Sequence, residues 1–208
     1  MIIHDLGITG YQEALQLQER LVSEVQGGAE ESLLLLEHRP VYTIGAGGNL
    51  ANLLDPSVEV RRVNRGGDIT YHGPGQLVGY PILDLGGRGR DLHRYLRLLE
   101  ELLVEVSGDL QVAGFTEPGR TGVWTARGKL ASIGVGVRRW VTMHGFCLNV
   151  APDTSGFQRI NPCGMAGCRI TSLALERGQR PAMAEVKELV ARRFPPLLER
   201  RLPRLPSR

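Results

Sequence analysis

Residues 128–150 read GKLASIGVGVRRWVTMHGFCLNV, and this stretch decides the class of fold. It contains two apolar runs, KLASIGVGV and WVTMHGFCLNV, whose β-branched and aromatic side chains are typical of strands. Three glycines interrupt the runs: Gly134, Gly136 and Gly145. A glycine inside a strand indicates a bulge or a place where a ligand lies against the backbone. We therefore predict two consecutive strands that belong to a sheet.

Other short apolar runs predict further strands of the same sheet. They are SLLLLEH (32–38), PVYTIGAGG (40–48), VEVRRVN (58–64), LVGYPILDL (77–85) and GVWTA (122–126). A short strand is also expected in the middle of RGGDITYHGPGQ (65–76).

Three segments have the spacing of amphipathic helices. The first begins at Tyr11 and stops at Gly27 and Gly28. The second follows Asp91, a good N-cap residue, and the third runs from about Pro181 to Arg193. The sequence contains no linker or repeat, so residues 1–208 are predicted to form one domain of the α/β (α+β) class. Its expected core is a mixed, largely antiparallel sheet with packed helices.

The charge of the chain excludes a strongly basic, nucleic-acid-binding protein. Net charge is +3 over 208 residues, with 42% hydrophobic and 23% charged residues. The positive excess lies in the tail, ARRFPPLLERRLPRLPSR (191–208). We interpret the tail as a solvated helix end with a frayed terminus. The alternative is a surface for an acidic partner.

Cysteine usage and the start of the chain indicate a cytoplasmic protein. Three cysteines, an odd number, do not suit a disulfide framework. The first residues show no signal-peptide pattern, and no apolar run approaches the ~20 residues of a membrane helix. We expect free thiols in a reducing compartment and no membrane partner.

The cysteines do not have the spacing of a metal site. Cys163 and Cys168 have four residues between them, and no second pair of ligands follows at a suitable distance. His144 and Cys147 are close in sequence, but an extended strand points them to opposite faces. No metal is therefore expected.

Cys163 stands in a turn that can present a reactive side chain. It follows Asn161-Pro162 and precedes Gly164, beside which a backbone amide can approach an oxyanion. The alternative is a buried free cysteine with no chemical role. Cys147 lies in an apolar strand and is interpreted as a space-filling residue.

Lys129 is unusual because the chain almost always uses arginine. Of the 25 basic residues only Lys129 and Lys187 are lysine. Lysine can lose its proton and arginine cannot, so a lysine near a cysteine can favour the thiolate or accept its proton. The simpler reading is an exposed, idle side chain at the mouth of a strand. The spacing alone does not bring Lys129 to Cys163.

The segment RGGDITYHGPGQ (65–76) is expected to contact a ligand. Its glycines permit unusual backbone angles, and Arg65, Tyr71 and His72 supply hydrogen-bond donors. It matches neither the phosphate loop nor the dinucleotide fingerprint, so no nucleotide is inferred. The alternative is an ordinary glycine-rich hairpin.

Together these segments resemble the lipoyl(octanoyl) transferase family. The likeness lies mainly in residues 65–85, 128–150 and 161–173, the last of which reads NPCGMAGCRITSL. Weaker similarity at 33–45 and 118–125 extends it over most of the chain from Leu6 to Leu173. The resemblance implies the fold of biotin and lipoate protein ligases.

The resemblance also implies a reaction and its partners. The donor is octanoyl-acyl carrier protein, and the acceptors are lysines in lipoyl domains of 2-oxoacid dehydrogenases and in the glycine cleavage H protein. No cofactor, metal or nucleic acid is implied. The family's acyl-thioester cysteine falls on Cys163, and its thiol-tuning lysine falls on Lys129.

Three segments are implied to contact the substrate. They are Arg65, Gly66, Gly67, Asp68, Ile69, Thr70, Tyr71 and His72, then Ser132, Ile133 and Gly134, and finally Gly145, Phe146 and Cys147. Two of these residues depart from the family's pattern: Asp68 fills a variable slot, and Cys147 stands where alanine is expected. Small residues, among them Ala131, Gly134 and Gly136, are expected to leave room for the acyl chain.

Two alternatives remain from the sequence. An ATP-dependent lipoate or biotin protein ligase needs an adenylate site and no nucleophilic cysteine. A non-catalytic module that binds a lipoyl domain or an acyl group needs neither Lys129 nor Cys163. A cysteine protease or thioesterase would require His72 or His144 to reach Cys163.

Overall fold

Residues 1–206, which the computed structural model describes, contain ten strands and four α-helices. The strands are β1 (Ile2–Thr9), β2 (Ser32–His38), β3 (Val41–Ile44), β4 (Val60–Arg62), β5 (Ile69–His72), β6 (Gln76–Ile82), β7 (Phe115–Glu117), β8 (Arg120–Thr125), β9 (Gly128–Arg138) and β10 (Val141–Asn149). The helices are α1 (Tyr11–Gln26), α2 (Leu92–Asp109), α3 (Leu173–Arg177) and α4 (Met183–Arg201).

The strands form two sheets. Seven strands make the larger sheet in the order β1-β2-β6-β10-β9-β8-β7, and the smaller sheet has the order β4-β3-β5. Strand β1 is parallel to β2 and β3 is parallel to β4, whereas the other neighbours are antiparallel. The predicted mixed, largely antiparallel sheet is confirmed for the larger sheet. The strands β3, β4 and β5 were expected in the same sheet and instead form a second one.

Both faces of the larger sheet are covered, which explains the uninterrupted leucines of β2. Leu33 and Leu35 join the core formed with α2 and α4, and Leu34 and Leu36 join the core formed with α1. Because successive side chains of a strand point to opposite faces, a strand buried on both faces is apolar throughout.

The predicted pair of strands is present as the hairpin β9–β10. Only Arg139 and Trp140 connect the strands, and both have positive φ angles, of 50° and 67°. Such a two-residue turn matches the right-handed twist of the strands. Arg138, the last residue before the turn, pairs with Val141, the first residue after it. The same register continues to the pair Ala131 and Leu148.

The helix boundaries are partly those expected. Helix α1 begins at Tyr11 and ends before Gly27, and the carboxylate of Asp91 caps α2 by accepting from the N–H of Arg94 at 2.8 Å. None of the helices in residues 1–206 has the length and apolar composition needed to cross a bilayer.

Four elements differ from the prediction, because β7 and α3 are short and were not expected, and β1 and α4 differ as follows. Strand β1 was not expected, because on the open edge of the sheet its side chains are mostly exposed and lack a clear apolar pattern. Helix α4 was expected to stop at Arg193 but continues through Pro195 and Pro196 to Arg201. Each proline removes a backbone hydrogen bond, and the burial of Phe194 and Leu198 compensates for that loss.

The basic tail is a solvated helix end, as predicted, since the side chains of Arg200 and Arg201 are more than half exposed. It is not frayed up to residue 206, because ion pairs and the Leu205 N–H, which donates to the Gly87 carbonyl, fasten it to the fold. Arg193 forms ion pairs with Glu105 and Asp109 of α2, and Arg200 and Arg201 both pair with Glu101. These pairs use charge that was considered available for an acidic partner. Ser207 and Arg208 lie outside the described residues.

A buried ionic cluster fastens the end of the chain to its first third. Arg88 donates to both carboxylate oxygens of Glu31, at 3.0 and 2.7 Å, and also to the carbonyl of Leu202. Arg204 reaches the same carboxylate at 3.2 Å. Burial alone would raise the pKa of Glu31, but the hydrogen bonds and charge of Arg88 and the charge of Arg204 lower it.

We expect Glu31→Gln to lower the free energy of unfolding at pH 7 by about 3 kcal/mol, because Arg88 loses its buried counter-ion. The folded-state pKa of Glu31 is depressed, so this stabilisation is complete above the ordinary value of 4.5 and is lost as pH falls through the folded-state value. The difference between wild type and variant should therefore shrink below about pH 4.5.

Urea unfolding at several pH values measures this difference. Glu199→Gln is the matched control, since Glu199 contacts the same Arg88 nitrogen but its side chain is 58% exposed. It should cost less than about 1 kcal/mol. If both variants lose the same free energy of unfolding, Glu31 is not the main counter-ion of Arg88.

Candidate active site

The structure brings Lys129 and Cys163 together although 34 residues separate them in sequence. Lys129 Nζ donates to Cys163 Sγ at 3.1 Å, and Ser132 Oγ lies 3.9 Å from the same sulfur. Lys129 is only 3% exposed, whereas Cys163 is half-buried. The contact excludes the reading of Lys129 as an exposed, idle side chain.

Cys163 sits on a strained turn. Residues Pro162–Gly164 form a short 3₁₀ turn, in which Cys163 has φ 57° and ψ 26° and Gly164 has φ 74°. The left-handed conformation costs a non-glycine residue of order 1 kcal/mol and is found most often at functional sites. It lets Cys163 project its side chain toward β9.

The sequence predicted that a backbone amide next to Cys163 would be free to bind an oxyanion, but the amide of Gly164 is not free. It donates to the carbonyl of Asn161 at 3.0 Å and so closes the turn. The amide of Cys163 itself donates to no acceptor within residues 1–206. This amide, beside the sulfur, is a candidate donor to a developing negative charge.

Backbone hydrogen bonds fasten the cysteine loop to the start of β9. Lys129 N–H donates to the carbonyl of Arg169 at 2.8 Å, and Thr171 N–H donates to the carbonyl of Lys129 at 3.0 Å. A Cβ atom at Gly128, whose φ is 152°, would lie 2.4 Å from the Arg169 carbonyl oxygen. Glycine before Lys129 is therefore required for the loop to approach.

A cavity of about 490 Å³, counted with its open mouth, lies beside Cys163 between the two sheets and α1. Its lining residues come from separate parts of the chain. They are Tyr11, Arg65, Gly67, Asp68, Thr70, His72, Tyr80, Ser132, Ile133, Gly134, His144, Gly145, Phe146, Cys147 and Cys163.

Most of the residues implied to contact substrate line this cavity, but three do not. Ile69 and Tyr71 point to the other face of β5, where they pack with Phe157 in a separate apolar cluster. Thr70 and His72 alternate with them and face the cavity. Gly66 lies behind the wall, where its N–H donates to the carbonyl of Val135 at 2.8 Å.

At two strand glycines the position of the missing side chain is filled by protein backbone, so the absent side chain itself leaves no room for an acyl chain. A Cβ atom at Gly136 would lie 2.6 Å from the Asn64 carbonyl oxygen, and one at Gly145 would lie 2.3 Å from that of Gly79. Ala131 is buried in the core on the α2 side. The expectation that Ala131 and Gly136 leave room for the acyl chain is therefore wrong, whereas Gly134 does line the cavity.

Asp68 holds the glycine-rich segment in place. Its carboxylate accepts from Asn52 Nδ2 at 2.9 Å and from the N–H of Asn49 at 3.3 Å. A Cβ atom at Gly164 would lie 2.9 Å from the same carboxylate. Although Asp68 fills a slot that was interpreted as variable, it fixes the distance between the glycine-rich segment and the turn that carries Cys163.

The histidines of the cavity do not contact the thiol. Within residues 1–206, Lys129 and Ser132 are the hydrogen-bond partners of Cys163 Sγ, and His144 Nε2 instead contacts Asn64 Oδ1 at 2.8 Å. Burial lowers the pKa of His144 to about 4 and that of His72 well below its usual 6.5. Both rings are neutral at pH 7, so the geometry does not support a Cys-His protease or thioesterase.

His144 and Cys147 line the same cavity, which contradicts the expectation of opposite faces. The φ angle of His144 is 55°, so the strand is not extended at this point and the imidazole turns toward the cavity. Within residues 1–206 no group of three or more His, Cys, Asp or Glu side chains is placed to hold a metal ion.

The other two thiols differ from Cys163. Burial raises the pKa of the Cys147 thiol, which keeps it protonated in the cavity wall. Burial also raises the pKa of Cys168, which lines a neighbouring cleft and does not line the cavity. Of the three cysteines, Cys163 is thus the one that contacts Lys129.

Sequence reasoning missed two tyrosines of the cavity. Tyr80 donates its hydroxyl to His38 Nε2 at 2.7 Å, because His38 Nδ1 faces the Thr9 carbonyl and must carry the proton. The Tyr11 hydroxyl is buried with no partner in residues 1–206. In sequence Tyr11 is the first residue of an amphipathic helix and Tyr80 lies in an apolar run, so only the polar atom of Tyr80 within that run gave a signal.

Comparison with known proteins shows the family of the chain. The model of the family "Lipoyl protein ligase A/B catalytic domain" matches residues 10–195. The chain is 69% identical to an octanoyltransferase of Citrifermentans bemidjiense over 98% of its length and 100% of that protein. It is 68% identical to an octanoyltransferase of Geobacter sp. with the same coverage.

Solved structures show the same fold at low identity. A crystal structure of lipoate-protein ligase A bound with ATP aligns with a TM-score of 0.77 at 16% identity, over 96% of this chain and 86% of that one. A biotin protein ligase from Aquifex aeolicus, in complex with biotin and ATP, aligns with a TM-score of 0.60 at 14% identity, over 96% and 71%. The chain belongs to the lipoyl protein ligase A/B catalytic domain family and, within it, to the octanoyltransferases.

Proposed function

We propose that this protein transfers an octanoyl group from octanoyl-acyl carrier protein to a lysine of lipoyl domains, through a thioester on Cys163. Octanoyl transfer in lipoate biosynthesis is the activity that the names of its full-length relatives support. The single observation that carries the mechanism is the 3.1 Å contact between Lys129 Nζ and Cys163 Sγ at the edge of the cavity.

The pair must share one proton to work at neutral pH. A free lysine has a pKa of about 10.4 and a free cysteine about 8.5, so isolated side chains would supply little thiolate and almost no neutral amine. We assign the resting pair as ammonium and thiolate, since each then neutralises the other.

In the first half-reaction the Cys163 thiolate attacks the thioester carbonyl of the donor. The bond from the acyl carbon to the carrier sulfur breaks, and the carrier thiolate takes the proton of Lys129. The products are octanoyl-Cys163, a carrier thiol and a neutral Lys129 amine. One thioester replaces another, so the step needs no ATP.

In the second half-reaction a neutral lysine of the acceptor attacks octanoyl-Cys163. As its nitrogen forms the amide bond, Lys129 takes its surplus proton, and the bond to Sγ breaks. The products are the octanoyl amide, the Cys163 thiolate and the Lys129 ammonium. The resting pair is restored, and the proton given up in the first step is recovered in the second.

The cavity is the proposed site of the acyl chain. Ile133, Phe146 and the protonated thiol of Cys147 supply apolar surface in its wall. At about 0.8 kcal/mol per methylene, burial of six methylenes is worth about 5 kcal/mol, which is enough to discriminate chain length. The remaining implied contacts, including Arg65, Thr70, His72 and Ser132, are proposed to hold the carbonyl end.

Membership of the family implies acceptor proteins with lipoyl domains. We propose the lipoyl domains of 2-oxoacid dehydrogenases and the glycine cleavage H protein as these acceptors. The proposed compartment is the cytoplasm, where the three free thiols would stay reduced.

Intact-protein mass after mixing with octanoyl-acyl carrier protein tests the proposal. We expect the wild type to gain the mass of one octanoyl group, which hydroxylamine removes, and Cys163→Ala to gain nothing. Cys168→Ala is the matched control and should gain the group as the wild type does. The absence of an adduct from all three proteins, with the donor intact, would contradict the covalent mechanism. ATP-dependent transfer by Cys163→Ala would instead indicate a ligase.

A further inference from the structure

The amine of Lys129 has an aromatic ring on its second side. Lys129 Nζ lies 5.1 Å from the centroid of the Trp124 ring, while Cys163 Sγ is 3.1 Å from the same nitrogen. Trp124 is 6% exposed, so water screens this contact little. A cation above the face of an aromatic ring is attracted by the ring's quadrupole, and a neutral amine is not.

We propose that Trp124 is a positioning residue that keeps Lys129 protonated and directed at Cys163, and so sets the pH range in which Cys163 is a thiolate. The proposal deepens the function proposed above and rests on it for its catalytic consequence. Its claim about the thiol can be tested without any acyl donor.

A break in strand register places the ring opposite the lysine. Val123 pairs with Ala131, but the next pair is Trp124 with Lys129, so Leu130 is an extra residue in β9. In a regular antiparallel ladder Trp124 would face Leu130. The bulge thus brings Trp124 and Lys129 to one face of the sheet, as bulges next to functional sites commonly do.

The indole is a costly choice if only packing is required. Its N–H is buried and has no acceptor within residues 1–206. A buried donor without a partner destabilises a protein, and a phenyl ring would avoid that penalty. Indole, however, attracts a cation more strongly than phenol or phenyl. The side chain that is least favourable for packing is therefore the most favourable for holding an ammonium.

The backbone clears space for this arrangement. Gly122 has a φ of 128°, and a Cβ atom there would lie 3.0 Å from Lys129 Cε and 2.5 Å from the Ala131 carbonyl oxygen. Its N–H donates to Glu100 Oε1 at 3.1 Å. Any side chain at Gly122 would push the lysine away from the indole.

Other charged groups near the pair do not replace the ring. The exposed guanidinium of Arg120 lies 5.6 Å from the same indole centroid and is itself paired with Glu117 at 2.8 Å. The buried carboxylate of Glu100 lies 2.6 Å from Arg97. Arg120 disfavours a second positive charge, so it opposes protonation of Lys129.

On the thiol side, Arg65 and Asp68 line the cavity with opposite charges, and Cys168 stays protonated. Loss of the ring removes stabilisation from the ammonium alone. The neutral pair, thiol with amine, then becomes more populated, and less thiolate is present at a given pH.

Alkylation of Cys163 by iodoacetamide, followed by peptide mass as a function of pH, measures the thiolate directly. We expect the midpoint of the alkylation curve to rise by about one pH unit in Trp124→Leu. Trp124→Phe should give a smaller rise, since a phenyl ring attracts the cation less. Thermal unfolding of each variant shows whether it is folded.

An unchanged midpoint in Trp124→Leu would overturn the proposal. An equal rise in both variants would also overturn it, because loss of packing would then explain the effect. If Trp124→Leu does not fold, Trp124→Phe still tests the proposal. An alkylation midpoint in Trp124→Phe that is no higher than in wild type contradicts it. Arg120→Gln should cause no rise, and a rise as large as that of Trp124→Leu would assign the effect to general electrostatics. A failed octanoyl adduct in the wild type leaves this result unaffected, so the two proposals fail separately.

Discussion

Lys129→Arg is expected to lose about 10²- to 10⁴-fold in turnover while retaining a positive charge beside Cys163. Arginine cannot give up its proton at neutral pH and so cannot pass one to the carrier thiolate or take one from the attacking amine. The guanidinium can still stabilise a thiolate, so alkylation of Cys163 should change far less than turnover. The proton cycle and the electrostatic effect are separated by this one variant.

Transfer of octanoyl to a purified lipoyl domain, followed by mass, measures turnover. Lys187→Arg is the matched control, since Lys187 is the other lysine of the chain and pairs with Asp5. It should transfer octanoyl at the wild-type rate. If Lys129→Arg stays within about threefold of wild type, the role of Lys129 is electrostatic and the base mechanism is wrong.

Cys163→Ser is expected to reduce turnover by about 10³-fold or more. A hydroxyl is far less acidic than a thiol, so the Lys129 amine cannot hold it as an anion before substrate binds. Serine fits the turn, and the cavity is unchanged, so donor binding should persist. The same assay, with Cys168→Ser as the control that retains activity, measures the loss.

The adduct formed by Cys163→Ser is a second test of whether the sulfur is the nucleophile. Any octanoyl ester on the introduced hydroxyl should form slowly and resist an amine acceptor. Rapid transfer by this variant would show that the sulfur is not the nucleophile. The result would then favour direct attack of the acceptor lysine on the donor thioester.

The sequence was informative where a pattern is local. The leucines of β2 and the paired runs of β9 and β10 predicted strands, because burial of both faces leaves an apolar run. Asp91 predicted the start of α2 through its own hydrogen-bonding capacity. The contact between Lys129 and Cys163 came from the resemblance alone, because no rule of spacing joins residues 34 positions apart.

Predictions failed where distant contacts outweigh local preference. Pro195 and Pro196 disfavour a helix, but burial against α2 carries α4 past them. The left-handed angle at His144 rotates one side chain, and no strand pattern shows such a rotation. The sequence placed Trp124 only in a predicted strand, and the bulge opposite it brings it into contact with Lys129.

The position of α4 has a consequence for synthesis of the chain. All residues of the cavity precede residue 164, yet the helix that covers the core beneath them begins at Met183 and ends at Arg201. While the ribosome still holds this last segment, the part of α2 that packs against α4 is uncovered. The nascent protein therefore has nearly all residues of the site in place while part of its apolar core is still exposed. Chaperones that bind emerging chains are expected to occupy that exposed part until translation ends.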